Sequence, residues 1–174
     1  SMRGQREVEQ DVRTGLRKVE TDTRSIEDIN HVLDTLVSES VELAILEVAG
    51  RGGFSPSNVP QPNFFGVPYL YHLGSIINVP TRDAVEQMLF TEIRHILGER
   101  LVELEKDYPE YTIGRPKVEA SAEKDAVQVK VSLSIGLGEK SYPLSLDHVT
   151  HTRLFRMVDL AREFLEHYHQ RRAN

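Results

Sequence analysis

Between Val127 and Leu137 apolar and polar residues alternate without a break. Val127, Val129, Val131, Leu133, Ile135 and Leu137 fall on one side, and Gln128, Lys130, Ser132 and Ser134 on the other. Successive side chains of a strand leave opposite faces, so this stretch predicts a strand with one buried and one wet face. That is the mark of an antiparallel sheet solvated on one side. Its flanks fit a meander. Pro116 to Ala122 alternates weakly before a turn at Glu123-Lys124-Asp125, and Gly138-Glu139-Lys140 turns the chain into Ser141 to Val149. Three strands are expected.

A sheet with one apolar face needs helices to cover it. From Thr81 to about Lys106, Val85, Leu89, Ile93, Ile96, Leu97, Leu101 and Leu104 recur at helical spacing. Thr81 is suited to the N-cap, with Asp83 favourably placed in the first turn. A last helix is expected from about Thr152 to Tyr168, with Leu154, Met157, Val158, Ala161, Leu165 and Tyr168 inward and a polar tail from His169 to Asn174. Residues 5 to 49 read as one long helix, or two nearly continuous ones. Val12, Val19, Ile26 and Leu33 fall seven apart, with Ile29, Leu36 and Leu43 on the adjoining row. Gly15 and residues 21–25 weaken the first half, where Ser25 is suited to cap a restart. The seven-residue spacing suits either a self-associating stalk or a helix folded back on its own domain. The expected organisation is a helical extension over 1–25 and a single domain over 26–174. The fold class is α+β in two layers: a long N-terminal helix and two further helices packed on an antiparallel β-meander.

Leu43 to Leu73 joins the first helix to the second. Gly50 is expected to stop the helix with positive φ, and Gly52 and Gly53 to permit the following turn. A phosphate-cradling loop would need a strand before the glycines and a lysine after them; here a helix precedes and Phe54-Ser55-Pro56 follows. Phe54, Phe64, Phe65, Tyr69 and Tyr71 supply five of the chain's twelve aromatic rings. Rings bring the largest buried area per residue, so the segment is expected to lie tucked against the protein body. Val67 to Leu73 and Ser75 to Val79 are suited to a small hairpin around Gly74.

Chemistry-bearing patterns are few. The chain has no cysteine, a net charge of −6 and a pI near 5.7, which argues against thiol catalysis and general nucleic-acid binding. No apolar run reaches the roughly 18 residues of a membrane span. Glu92 and His95 have the Glu-x-x-His spacing of di-iron bundles, but Asp28 and His31 are the nearest second copy, with the shorter acid. His148, His151, His167 and His169 read as surface residues. There is no G-x-S-x-G elbow, His-Glu-x-x-His, Walker lysine or Rossmann glycine triplet. No catalytic residue, metal or cofactor is expected.

One order of landmarks carries a resemblance. An apolar helix ending in Gly52-Gly53-Phe54 is followed by a proline loop and by Gly66-Val67-Pro68-Tyr69-x-Tyr71. Asn78-Val79-Pro80 then opens a helix, and later come Gly114-Arg115-Pro116-Lys117-Val118 and Tyr142-Pro143-Leu144-Ser145-Leu146. From about Asn30 to Tyr168 this resembles a group of uncharacterised archaeal proteins predicted to lie at the cell surface. They are anchored by one N-terminal hydrophobic segment similar to the signals of type IV pilin-like proteins. The chain departs from them in having no cysteine near the ends of the first two core helices and in lacking the hydrophobic segment. The resemblance implies architecture and an extracytoplasmic location, with membrane attachment only through an anchor absent from this chain; it implies no activity.

The expected function is a non-enzymatic domain acting through protein contacts or self-association. Phe64, Phe65, Tyr69, Tyr71 and His72 are candidate contact residues, and Gly50, Gly52 and Gly53 structural turn residues. The alternative is a ligand-binding or enzymatic pocket roofed by the aromatic segment near Tyr69, Tyr71 and His72. A cytoplasmic adaptor is a third reading.

Overall fold

A computed structural model of the protein describes residues 2–73 and 75–173, with side chains within 24–171 other than that of Tyr71. The elements run α1 (Met2–Gly50), a 3-10 turn (Pro56–Asn58), β1 (Asn63–Phe64), β2 (Val67–Pro68), β3 (Tyr71–His72), β4 (Ser75–Ile76), α2 (Arg82–Asp107), β5 (Tyr111–Ile113), β6 (Lys117–Ala122), β7 (Ala126–Leu137), β8 (Lys140–His151) and α3 (Leu154–Ala173). This is the α+β class expected, with a long N-terminal helix and antiparallel pairing throughout.

β7 is the central strand. It pairs along its whole length with β8, from Ala126 opposite His151 to Leu137 opposite Lys140. Its other edge is shared end to end by β6, where Ala122 faces Val127, and by β5, where Tyr111 faces Leu137. β5 is a strand that the alternation did not signal, because three residues are too few to show a period. Its placement is fixed by tertiary bonds: the Ile113 N–H donates to Glu105 Oε1 of α2 at 2.8 Å, and the Tyr111 hydroxyl to the Ser25 carbonyl of α1 at 3.0 Å.

Val127, Val129, Val131, Leu133 and Ile135 are buried, whereas Gln128, Lys130 and Ser134 face solvent. α1 covers the β7–β8 side of the buried face, α2 covers β5 and β6, and the two helices pack on each other. α2 starts as expected, with the Ala84 N–H donating to Thr81 Oγ1 at 3.2 Å. All seven expected apolar residues of α2 are buried.

In α1 the helix passes through Ser25 without a restart. The buried row is Ile29, Leu33, Val37, Val41, Ala44 and Val48, with Ile26, Leu36 and Leu43 only partly covered. The steps of three and four follow the helical period and not a seven-residue seam, so from Ile26 onward this helix folds back on its own domain. The side chains of Val12 and Val19, and of all but the last two residues of the expected extension over 1–25, lie outside those described.

The helix stop differs from expectation. Gly50 remains helical, and positive φ falls at Gly52 (65°) and Gly53 (95°). The Gly53 N–H donates to the Val48 carbonyl at 2.9 Å and the Gly52 N–H to the Ala49 carbonyl at 3.1 Å. That pair of bonds is a Schellman motif with Gly52 as its left-handed residue. Gly53 is also held by packing, since a Cβ there would lie 2.9 Å from Val85 Cγ2 and 3.1 Å from Pro80 Cγ.

α3 leans on α2 and on β4. Leu154, Phe155 and Val158 are buried, and the Arg82 guanidinium of α2 lies 5.2 Å above the Phe155 ring. Arg162 Nη2 donates to the Pro80 carbonyl at 3.1 Å. Two residues expected inside are outside: Met157 is 63% exposed and Tyr168 38%. The apolar face of α3 is wider than its seat, and the seat takes the Phe155 side. The expected polar tail from His169 continues the helix to Ala173.

The three glycines of the helix stop separate in a stability experiment. Gly50→Ala meets nothing within 4 Å and adds a better helix former, so a gain of up to about 1 kcal/mol is expected. Gly52→Ala is expected to cost about 1 to 2 kcal/mol through the left-handed penalty. Gly53→Ala adds overpacking against Val85 and should cost a further 1 to 3 kcal/mol or so. Urea denaturation of the three variants checks the order.

Candidate functional site

Gly52 to Thr81 contains no Lys, Arg, Asp or Glu, in a chain that is 28% charged. This uncharged stretch folds into two very short hairpins. β1 pairs with β2 through Phe64 opposite Val67, and β3 with β4 through His72 opposite Ser75. The second is the hairpin expected around Gly74, cut to two residues on each side; the first is additional to that expectation. Each has a two-residue connection. In the first, Phe65 and Gly66 both take positive φ, 50° and 78°, which is the type I′ geometry that suits the twist of paired strands. In the second, Leu73 has φ 49°. Position 74 lies outside the described residues.

A backbone bond extends each hairpin by one pair, and one asparagine ties the two together. The Tyr69 N–H donates to the Pro62 carbonyl and the Ile77 N–H to the Leu70 carbonyl. Asn78, itself at φ 51°, donates from Nδ2 to the Tyr69 carbonyl at 3.2 Å and the Gln61 carbonyl at 3.4 Å. Asn63 Oδ1 accepts from the Gly66 N–H, an asparagine stapling its own turn. Asparagine tolerates the left-handed region better than most residues, so Asn78 is suited to its place. Phe65 and Leu73 are not.

The expectation that the rings lie tucked against the body is overturned. Phe54 is buried, but Phe64 is 62% exposed, Phe65 91%, Tyr69 43% and Leu73 90%. Phe64 and Phe65 meet edge to face at 4.6 Å, and Tyr69 stacks on His72 at 6.0 Å. Aromatic content alone cannot tell burial in the protein's own core from presentation to something else. The absence of charge over so long a stretch was the signal available in the sequence, since an ordinary solvated loop carries charge.

Of the expected contact residues, Phe64, Phe65, Tyr69 and His72 are thus on the surface; the Tyr71 side chain lies outside the described set. The adjoining cleft, of about 140 Å³, is walled by Leu70, Val79, Pro80, Met157, Val158 and Ala161 among others. Neither Tyr69 nor His72 lines it, and its side-chain walls are apolar, so it lacks the converging polar groups that the pocket reading requires. A larger groove of about 470 Å³ lies between α1 and α2, with Glu39 and Arg100 paired across it at 2.8 Å.

The Glu-x-x-His residues diverge. Glu92 is buried in the α2 face, whereas His95 is exposed with Nε2 3.6 Å from Glu99. Among the described residues no three or more His, Asp or Glu side chains come together as a metal site, and no helix there is long and apolar enough to cross a membrane. On the outer face of the sheet, hydrogen bonding and charge between Lys117 and Glu119 hold the amine above its usual range and the carboxyl below.

Comparison of the chain with protein-family models, with curated proteins and with solved structures returns no match.

Phe65 and Leu73 occupy positions where asparagine or glycine fits and where almost no burial compensates. Phe65→Asn and Leu73→Asn are therefore expected to raise stability by about 0.5 to 1 kcal/mol each, measured as an increase in the urea midpoint at unchanged slope.

Proposed function

We propose that the chain is a non-enzymatic domain that works through protein contacts, with the double hairpin as the face that meets the partner. One observation carries this reading. Both hairpins place a large apolar side chain at a left-handed tip, about nine-tenths exposed, where the local backbone favours asparagine. Left-handed geometry at a non-glycine residue costs about 1 to 2 kcal/mol, and the isolated domain gains little burial in return. A sequence that breaks a local preference without a local gain marks a functional position. Buried aromatic anchors ringed by polar groups are also how interfaces obtain most of their energy. Phe64, Phe65 and Leu73 are the anchors, with Tyr69 and His72 at their rim.

The partner is a protein. A net charge of −6 disfavours nucleic acid, and a hairpin face without cations has no attraction for anionic lipid. The order of landmarks from the Gly52-Gly53-Phe54 stop to Tyr142-Pro143 supports an extracytoplasmic placement at the cell surface. The reading frame upstream of Arg3 tests that placement: a single hydrophobic segment is expected, and a start codon at Met2 would overturn it.

The contact itself is tested with a photo-crosslinking phenylalanine analogue at position 65, compared with the same analogue at the exposed Glu139, in cells that make the protein natively. A discrete protein adduct from position 65 and none from 139 is expected. Equal labelling from both positions, or none from 65, defeats the reading.

A further inference from the structure

A second face is left uncovered, and it has a different design. On α3, Met157, Leu160 and Phe164 are 63%, 53% and 69% exposed. With 3.6 residues per turn, positions 157, 160, 164 and 168 lie in one row along the helix. Phe164 and Tyr168 stack within it at 6.3 Å. Scattered surface apolar residues are ordinary, but a continuous row two turns and more in length marks a contact surface. The row is separate from the hairpin tips, and at its Met157 end it borders the cleft that Leu70 also lines.

The charges beside the row identify the occupant. Arg156 and Glu163 flank it on the side away from the buried Leu154 and Val158. They are seven positions apart, so they lie along the same edge. Both are exposed, and neither has an ion-pair partner among the described residues. Their neighbours differ: Asp159 lies 3.9 Å from Arg82 and Arg162 is bonded to the Pro80 carbonyl. Opposite charges seven residues apart on one flank are self-complementary when the helix meets an antiparallel copy of itself. Rotation about a twofold axis near Leu160 sets each Arg156 beside Glu163 of the other chain. It also brings Met157 toward Phe164, a favourable sulfur–aromatic pairing.

We propose that α3 is a homotypic docking face, on which two copies of this chain pair antiparallel through the Met157–Leu160–Phe164 row. The interface is isologous, as twofold dimers require, and the flanking charges set orientation as they do beside coiled-coil seams. A lipid surface would instead select a uniformly cationic flank, and Glu163 interrupts this one. The proposal goes beyond the hairpin reading and stands without it.

Sedimentation velocity from low to high micromolar concentration provides the test. The wild-type chain is expected to dimerise, and Phe164→Glu, a change at an exposed site, to leave a folded monomer by circular dichroism. Arg156→Glu or Glu163→Arg alone should each weaken the dimer about tenfold or more. Mixing the two single variants should restore association as a heterodimer, because each chain then carries one sign at both positions. A wild-type chain that stays monomeric overturns the proposal. So does a dimer that Phe164→Glu leaves intact, or a mixture that associates no better than its components. Phe65→Asn should leave self-association unchanged, which keeps a failure here distinct from a failure at the hairpins.

Discussion

The structure depends on the burial of one row of side chains, those of Val127, Val129, Val131, Leu133 and Ile135 on β7. Each contributes roughly 1.5 to 3 kcal/mol when taken from water, and they can be covered only from one side. That forces α1 and α2 into a single layer. It also makes β7 the strand on which both edges are built, with β8 along one and β6 and β5 sharing the other. Because α2 must reach over β5 and β6, its N-terminus is left at the far end, beside the helix stop of α1. The hairpins and α3 gather around that junction, through Gly53 against Val85 and Pro80 and through Arg82 over Phe155.

Where one periodicity dominated, the sequence was readable. The period of two in β7 and the apolar stripe of α2 are each repeated over enough residues to outweigh local preferences, and both lie where the pattern puts them. β5 was not readable, because a three-residue strand is defined by its partners, Glu105 and β7, and not by its own pattern. On α3 the apolar face is so wide that periodicity could not decide which half is covered, and Phe155, not Met157, took the core. Gly50 is not the left-handed residue because the stop needs it two positions further on, as the bonds of Gly52 and Gly53 to the preceding turn show. In the aromatic segment ring content points to burial against the body, yet Phe64, Phe65 and Tyr69 face outward. The clue lay in missing charge, a property of the whole stretch and of no single residue.

The two uncovered surfaces differ in what they sacrifice. At the hairpins the backbone itself is in an unfavourable region, so apolar tips are held out at a cost to the fold. On α3 the helix is regular and the exposed row costs the backbone nothing; the liability there is solvation alone. A two-residue tip has few torsions to lose on meeting a partner, whereas a helix face offers length and a repeating edge. The first arrangement favours insertion into a recess, the second a pairing of like with like.

The free edge of β8 bears on how far this sheet can grow. Thr152 donates its N–H to Asp125, one residue beyond the pairing of His151 with Ala126. In an antiparallel ladder that makes the odd-numbered residues of β8 turn their backbone groups away from β7. Pro143, opposite Ser134, is odd. Its missing N–H is therefore subtracted from the outer edge and leaves the ladder with β7 whole. A twelve-residue strand with an open side would otherwise template a further strand end to end. With Pro143 near its start and Asp147 at its middle, the edge is a poor template for a further strand.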